Sequence, residues 1–262
     1  MNLTKPFYLL MALTFLSSPV LALTPEERGL EIAREAKQRD SGWADMQAEM
    51  LMVLRNKQGE ESIREIRIKS LEQEGDGDKS LTIFDKPLDV KGTAFLSFSH
   101  PLEADDQWLY LPALKRVKRI SSRNKSGPFM GSEFAYEDLS SFEIEKYSYK
   151  YIKDESCDGG SCFVVEQYPV DKDSGYTRRV AWIDQNHYRV WKVDFYDRKN
   201  SLLKTLSFKG YQQYLDKYWR ADLQQMQNHQ NGKSTELKWS GYQFRVGLND
   251  ADFNKNTLKR AR

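Results

Sequence analysis

Met46-Gln47-Ala48-Glu49-Met50-Leu51-Met52-Val53-Leu54 sets the period on which the fold of this chain turns. Met46, Ala48, Met50, Met52 and Leu54 alternate with Gln47, Glu49 and other residues. A spacing of two sends successive side chains to opposite faces, so the stretch reads as a strand with one apolar face. Immediately upstream the period is different. Thr24-Pro25-Glu26-Glu27 supplies an N-cap, a proline at the first position and acids in the first turn. Leu30, Ile32, Ala33 and Ala36 continue it as a partial stripe, which predicts a helix over 25–40, ending near Asp40-Ser41-Gly42.

Further upstream, Lys5 precedes an apolar run over 7–16 (FYLLMALTFL), broken by Ser17, Ser18 and Pro19. The run has the length of a signal-peptide core and is short for a bilayer span. Val20-Leu21-Ala22 offers the small residues that signal peptidase needs, so cleavage is expected after Ala22. Residue 23 is leucine, which excludes lipidation at that point. The reading is a signal peptide over 1–22 and one domain over 23–262, working in the periplasm.

Downstream of Leu54 the alternation returns repeatedly. Ile63, Ile66 and Ile68 mark a second strand, Glu74 to Asp78 a turn, and 81–84 a third strand. Further strands are expected at 93–98, 108–111, 117–120, 147–152, 163–168, 177–184, 188–196, 203–211, 218–226 and 235–244. Residues 123–132 read as a loop, and 134–142 as a short helix. About a dozen short strands in meander order, with few helices, predict a mainly β (α+β) fold closed into a barrel or a strongly curved sheet.

Composition agrees. Removing residues 1–22 from 262 leaves 240, enough for a sizeable core. Lys5 is the one charge removed, so 39 basic residues face 38 acidic ones. That near-neutral balance argues against nucleic acid as the main partner. The 13 Phe, 6 Trp and 14 Tyr favour pleated sheet.

Cys157 and Cys162 bracket Asp-Gly-Gly-Ser, strong turn chemistry. In an oxidising compartment they read as a disulfide across a hairpin tip. A redox pair would place two residues between the cysteines, and a metal site would need further ligands nearby. His100, His187 and His229 lie far apart. No nucleophile elbow, zinc motif, phosphate loop or dinucleotide fingerprint occurs. Glu103-Ala104-Asp105-Asp106 is a candidate acid cluster, with a charged loop as its plainer reading. The chain is expected to be no enzyme and to need no cofactor or metal.

Two stretches remain. Trp108-Leu109-Tyr110-Leu111-Pro112-Ala113-Leu114-Lys115-Arg116-Val117-Lys118-Arg119-Ile120 runs from an aromatic strand through a proline turn into a basic strand. Phe129-Met130-Gly131-Ser132-Glu133-Phe134-Ala135-Tyr136-Glu137-Asp138-Leu139 is acidic and aromatic after a Gly-Ser pair. Together they resemble a family of exported outer-membrane lipoprotein-sorting proteins, distant relatives of the periplasmic lipoprotein carrier LolA. The resemblance implies an incomplete, strongly curved antiparallel β-barrel with helices over its open side. It also implies an apolar cavity for lipid or lipoprotein acyl chains, and an RND-type inner-membrane transporter as a partner; the chain itself is expected to be a monomer.

On that reading the alternating apolar positions become candidate cavity residues: Met46, Met50 and Met52 first, because methionine adapts to varied contacts. Ile66, Ile68, Leu81, Ile83, Leu96 and Phe98 would extend the wall, with Trp108, Tyr110, Trp182 and Trp191 lining it too. Alternation marks a buried face and leaves open whether that face bounds a cavity or a filled core. Two functions fit: a carrier that hands acyl chains toward the outer membrane, or a lipid-sensing or interaction module that docks on a transporter.

Overall fold

The computed structural model describes residues 22–157 and 160–260. The expected signal peptide and its cleavage site lie outside these residues, apart from Ala22. Thirteen strands form one continuous antiparallel sheet. They are β1 (Asp45–Arg55), β2 (Glu61–Leu71), β3 (Lys79–Lys86), β4 (Ala94–Phe98), β5 (Asp106–Leu111) and β6 (Arg116–Ile120), then β7 (Tyr147–Cys157), β8 (Gly160–Pro169), β9 (Tyr176–Asp184), β10 (Val190–Asp197), β11 (Leu202–Tyr214), β12 (Tyr218–Asn228) and β13 (Ser234–Phe244). The order is β6-β5-β4-β3-β2-β1-β13-β12-β11-β10-β9-β8-β7. Each half is a meander, and the halves join where the first strand pairs the last. Met50 sits opposite Trp239 and Met52 opposite Leu237 at that seam. The sheet curls but stays open, with β6 and β7 as its edges.

Helix α1 (Pro25–Arg39) starts in a capping box. Thr24 Oγ1 accepts from Glu27 N–H at 3.2 Å, and Glu27 accepts from Thr24 N–H at 2.8 Å. It buries Gly29, Ile32 and Ala33 and packs on β7. Lys37 ties its far end to the segment after β6, donating to Phe142 O at 3.0 Å and to Glu143 at 3.2 Å.

That segment, residues 121–146, runs from one sheet edge to the other across the inner face. Phe129 packs on Phe84 and Phe95 with ring centroids 5.9 and 5.2 Å away, and Tyr136 on Phe95 at 5.6 Å. The helix expected over 134–142 is only a 3₁₀ turn, Tyr136–Leu139. Buried partners take its polar groups instead: Glu133 N–H donates to Thr235 Oγ1 at 3.0 Å and Gln107 Nε2 to Tyr136 O at 3.1 Å. With its backbone committed to the sheet, the segment cannot continue its own i→i−4 ladder.

The last helix, α2 (Lys255–Leu258), covers the opposite, outer face. Phe253 and Leu258 pack with Leu81, Ile83, Ala94, Leu96 and Trp108. No helix among the described residues is long and apolar enough to cross a membrane. Cys157 and Cys162 form the expected disulfide across the β7–β8 hairpin, with Cα atoms 5.8 Å apart.

Candidate functional site

Register decides which side chains meet. Met50 opposes Ile66, Ile66 opposes Phe84, Thr82 opposes Phe95 and Phe95 opposes Leu109, all on the inner face. Here the plugging aromatics Phe129 and Phe134 join Met50, Met52, Ile66 and Ile68 in a filled core. The other half of the inner face, β8 to β12, is not plugged. Between it, α1 and residues 120–147 lies a partly open cavity of about 1130 Å³. Because it is partly open, solvent reaches it. Ligand sites commonly run from about 300 to 1,000 Å³, so this one is large.

The floor of the cavity is apolar: Ala181 and Ile183 on β9, Val193 and Phe195 on β10, Leu206 and Phe208 on β11. Ala33 and Ala36 of α1 face it with side chains too short to fill it. Polar groups gather at the segment side. Asp138 accepts from Ala135 N–H at 2.7 Å, Tyr176 Oη at 2.9 Å and Lys204 Nζ at 2.7 Å. Lys204 also donates to Glu133 O at 2.8 Å, so one buried pair pins the segment to β11. Glu137 accepts from Ser174 Oγ and Gly175 N–H, both at 2.8 Å, and burial raises its pKa above the usual carboxylate range. Lys146 is paired with Asp105, and Lys125 with Asp171 at 2.5 Å. No cluster of histidine, cysteine and carboxylate fit to hold a metal occurs among the described residues.

The thirteen residues expected from the sequence to line a cavity lie elsewhere. Met50, Met52, Ile66 and Ile68 belong to the plugged half of the inner face, and Met46 sits near the end of β1 opposite Phe244. Leu81, Ile83, Leu96, Phe98, Trp108 and Tyr110 are on the outer face beneath the C-terminal segment. Leu81 opposes Leu96, and Leu96 opposes Trp108, one residue out of step with the inner row. A single-residue step reverses the face, and β3 and β4 are apolar on both, so the sequence could not assign them. Trp182 lies under Lys192, whose ammonium is 3.4 Å from the ring centroid. Trp191 is beside the site, 5.6 Å from the cavity-lining Tyr211 ring, and does not line it. Ala181 with Ile183, and Val193 with Phe195, recur at a spacing of two, which marks them as one buried face without showing that it bounds a cavity.

A family model for an uncharacterized protein matches residues 76–260. The chain is similar to an outer-membrane lipoprotein-sorting protein domain of Vibrio parahaemolyticus, with 67% identity, a TM-score of 0.88, and coverage of 90% of this chain and 100% of that one. It is similar to a DUF1329-family protein of Desulfovibrio piger, with 30% identity, a TM-score of 0.85 and the same coverage. A LolA-superfamily protein of Nitrosomonas europaea shares the fold at 20% identity, with a TM-score of 0.71 and again 90% and 100% coverage. No curated protein matches the chain in sequence.

Proposed function

Because this chain belongs to the LolA-like family of outer-membrane lipoprotein-sorting proteins, we propose that it is a non-enzymatic periplasmic carrier of lipid or lipoprotein acyl chains. Residues 23–262 would act as one monomeric domain once residues 1–22 are cleaved. The observation that carries this reading is the unfilled, apolar-floored cavity between β8–β12, α1 and the crossing segment. Each acyl methylene buried there is worth about 0.8 kcal/mol, so a chain binds firmly without specific polar contacts. Transfer is toward the outer membrane.

A second reading, an envelope sensor or module docking on an RND-type transporter, is favoured by the edge strand β6. Arg116 and Lys118 on this strand, and Lys115 in the turn before it, are exposed cations at one edge of the sheet.

The test is native mass spectrometry with lipid extraction on protein purified from the periplasm without detergent. A co-purifying lipid or acylated peptide is expected. Phe208→Asp, which sets a carboxylate on the cavity floor, is expected to weaken uptake of a fluorescent fatty acid about tenfold or more through the lost methylene contacts. An empty protein that takes up no fatty acid would sink the carrier reading and leave the docking module.

A further inference from the structure

Arg179 stands out among the charged groups of the cavity wall. It lies on the inner face of β9, opposite Gln167 on one side and Phe195 on the other. Its guanidinium sits 4.1 Å from the Tyr147 ring centroid, with the Phe142 and Phe195 rings 5.9 and 6.0 Å away. Nη2 donates to Gln167 Oε1 at 2.6 Å. The Nε–H is out of reach of solvent and has no acceptor. Arg179 is in no ion pair among the described residues. It contrasts with Lys37, Lys125, Lys146 and Lys204, each matched by its own carboxylate. Three acids of the same lining are already engaged: Asp138 by Lys204, Asp105 by Lys146, Glu137 by Ser174 and Gly175.

A guanidinium stays protonated in any protein environment and carries five donors in one plane. Held among aromatic rings in the cavity lining, it keeps the N–H groups of Nη1 without an acceptor among the described residues. Arg179 is half-buried and has no counter-charge among the described residues, so a bound anion would meet an uncompensated cation there. Arg179, Ala181 and Ile183 follow one another at a spacing of two, so all three face the cavity along a single strand. A charged site and an apolar floor are therefore continuous.

Resting on the carrier reading, we propose that the cavity takes an amphiphile with an anionic head, carboxylate or phosphate, and that Arg179 holds the head while the chain lies over Ala181 and Ile183.

The experiment compares a saturated fatty acid with the fatty alcohol of equal chain length, at neutral pH, each displacing a fluorescent probe from the purified protein. The acid is expected to bind about tenfold more tightly than the alcohol, although the alcohol is the more hydrophobic. Arg179→Gln is expected to bring the acid down to the alcohol's affinity and leave the alcohol unchanged, and Arg179→Lys to restore part of the preference. Acid and alcohol binding alike to the wild type, or an unchanged preference in a folded Arg179→Gln protein, would overturn the proposal while the carrier reading stands. Binding of neither would overturn both. Inorganic phosphate is the control for a small-anion site. Phosphate that binds through Arg179 without displacing the acid would separate the anion site from the chain site and overturn the proposal. Should Arg179→Gln not fold, the wild-type preference decides alone.

Discussion

Lys204 and Asp138 show how a single contact holds an irregular segment in place. Both side chains are 4% exposed, and neither has water to fall back on. Removing one partner of such a pair leaves a buried uncompensated charge, which costs about 3–5 kcal/mol. Lys204→Met is therefore expected to lower stability by about that much in urea unfolding, whereas Lys115→Ala at an exposed turn should change it by less than about 0.5 kcal/mol. A loss below about 1 kcal/mol for Lys204→Met would mean that Tyr176 and Ala135 satisfy Asp138 without the lysine. The acidic Tyr136-Glu137-Asp138-Leu139 stretch acquires its meaning here. As sequence it offers helix-terminal acids, but in the folded chain its aspartate is a buried anchor.

At the scale of elements, α1 depends on a close approach to β7. A Cβ built on Gly29 would lie 2.8 Å from Tyr151 N and 2.9 Å from Lys150 N. Backbone cannot yield as a side-chain tip can, so α1 would have to move outward. Glycine inside a helix costs about 1 kcal/mol relative to alanine, and on propensity alone Gly29→Ala would stabilise. The expected outcome is the reverse: lower stability and faster amide exchange in α1, because lost packing outweighs the helix gain. A more stable protein with unchanged exchange would show that α1 tolerates the shift. Since Ala33 and Ala36 of the same helix face the cavity, moving α1 should also alter ligand affinity. The disulfide between Cys157 and Cys162 lies at the tip of the β7–β8 hairpin.

The whole molecule is held at the seam between β1 and β13, which joins strands from opposite ends of the chain. Arg55 on β1 pairs with Glu236 on β13 at 2.7 Å, and Gln225 on β12 donates to the same carboxylate at 2.8 Å. The Arg55 hydrogen bond holds the Glu236 pKa down at about 2. The folded value lies below the ordinary one, so this group's contribution is present above about 4.5 and is lost as pH falls toward about 2. Wild type should exceed Glu236→Gln in stability near neutrality, and the gap should close across that window in acid unfolding. A gap independent of pH would show that the effect is packing rather than charge. Asp78, Glu137 and Glu143 act in the opposite sense. Burial raises their pKa values, so they favour the fold as they take up protons.

The sequence by itself determined what depends on near neighbours. Alternation from Met46 to Leu54 and its repeats marked the strands, the Thr24 N-cap with Pro25 and the acids after it marked the start of α1, and the Cys157–Cys162 spacing marked the hairpin staple. The paired motifs at 108–120 and 129–139 pointed to the family. Only the tertiary structure decided which apolar face encloses space. Leu81 and Phe84 are both buried, yet they serve opposite faces of one strand. Phe129 fills the half of the inner face beneath Met50, whereas Ile183 and its neighbours line the cavity. Periodicity reports that a side chain leaves water and is silent about what it meets there. That depends on contacts between residues far apart in the chain, and the isolation of Arg179 depends on them in the same way.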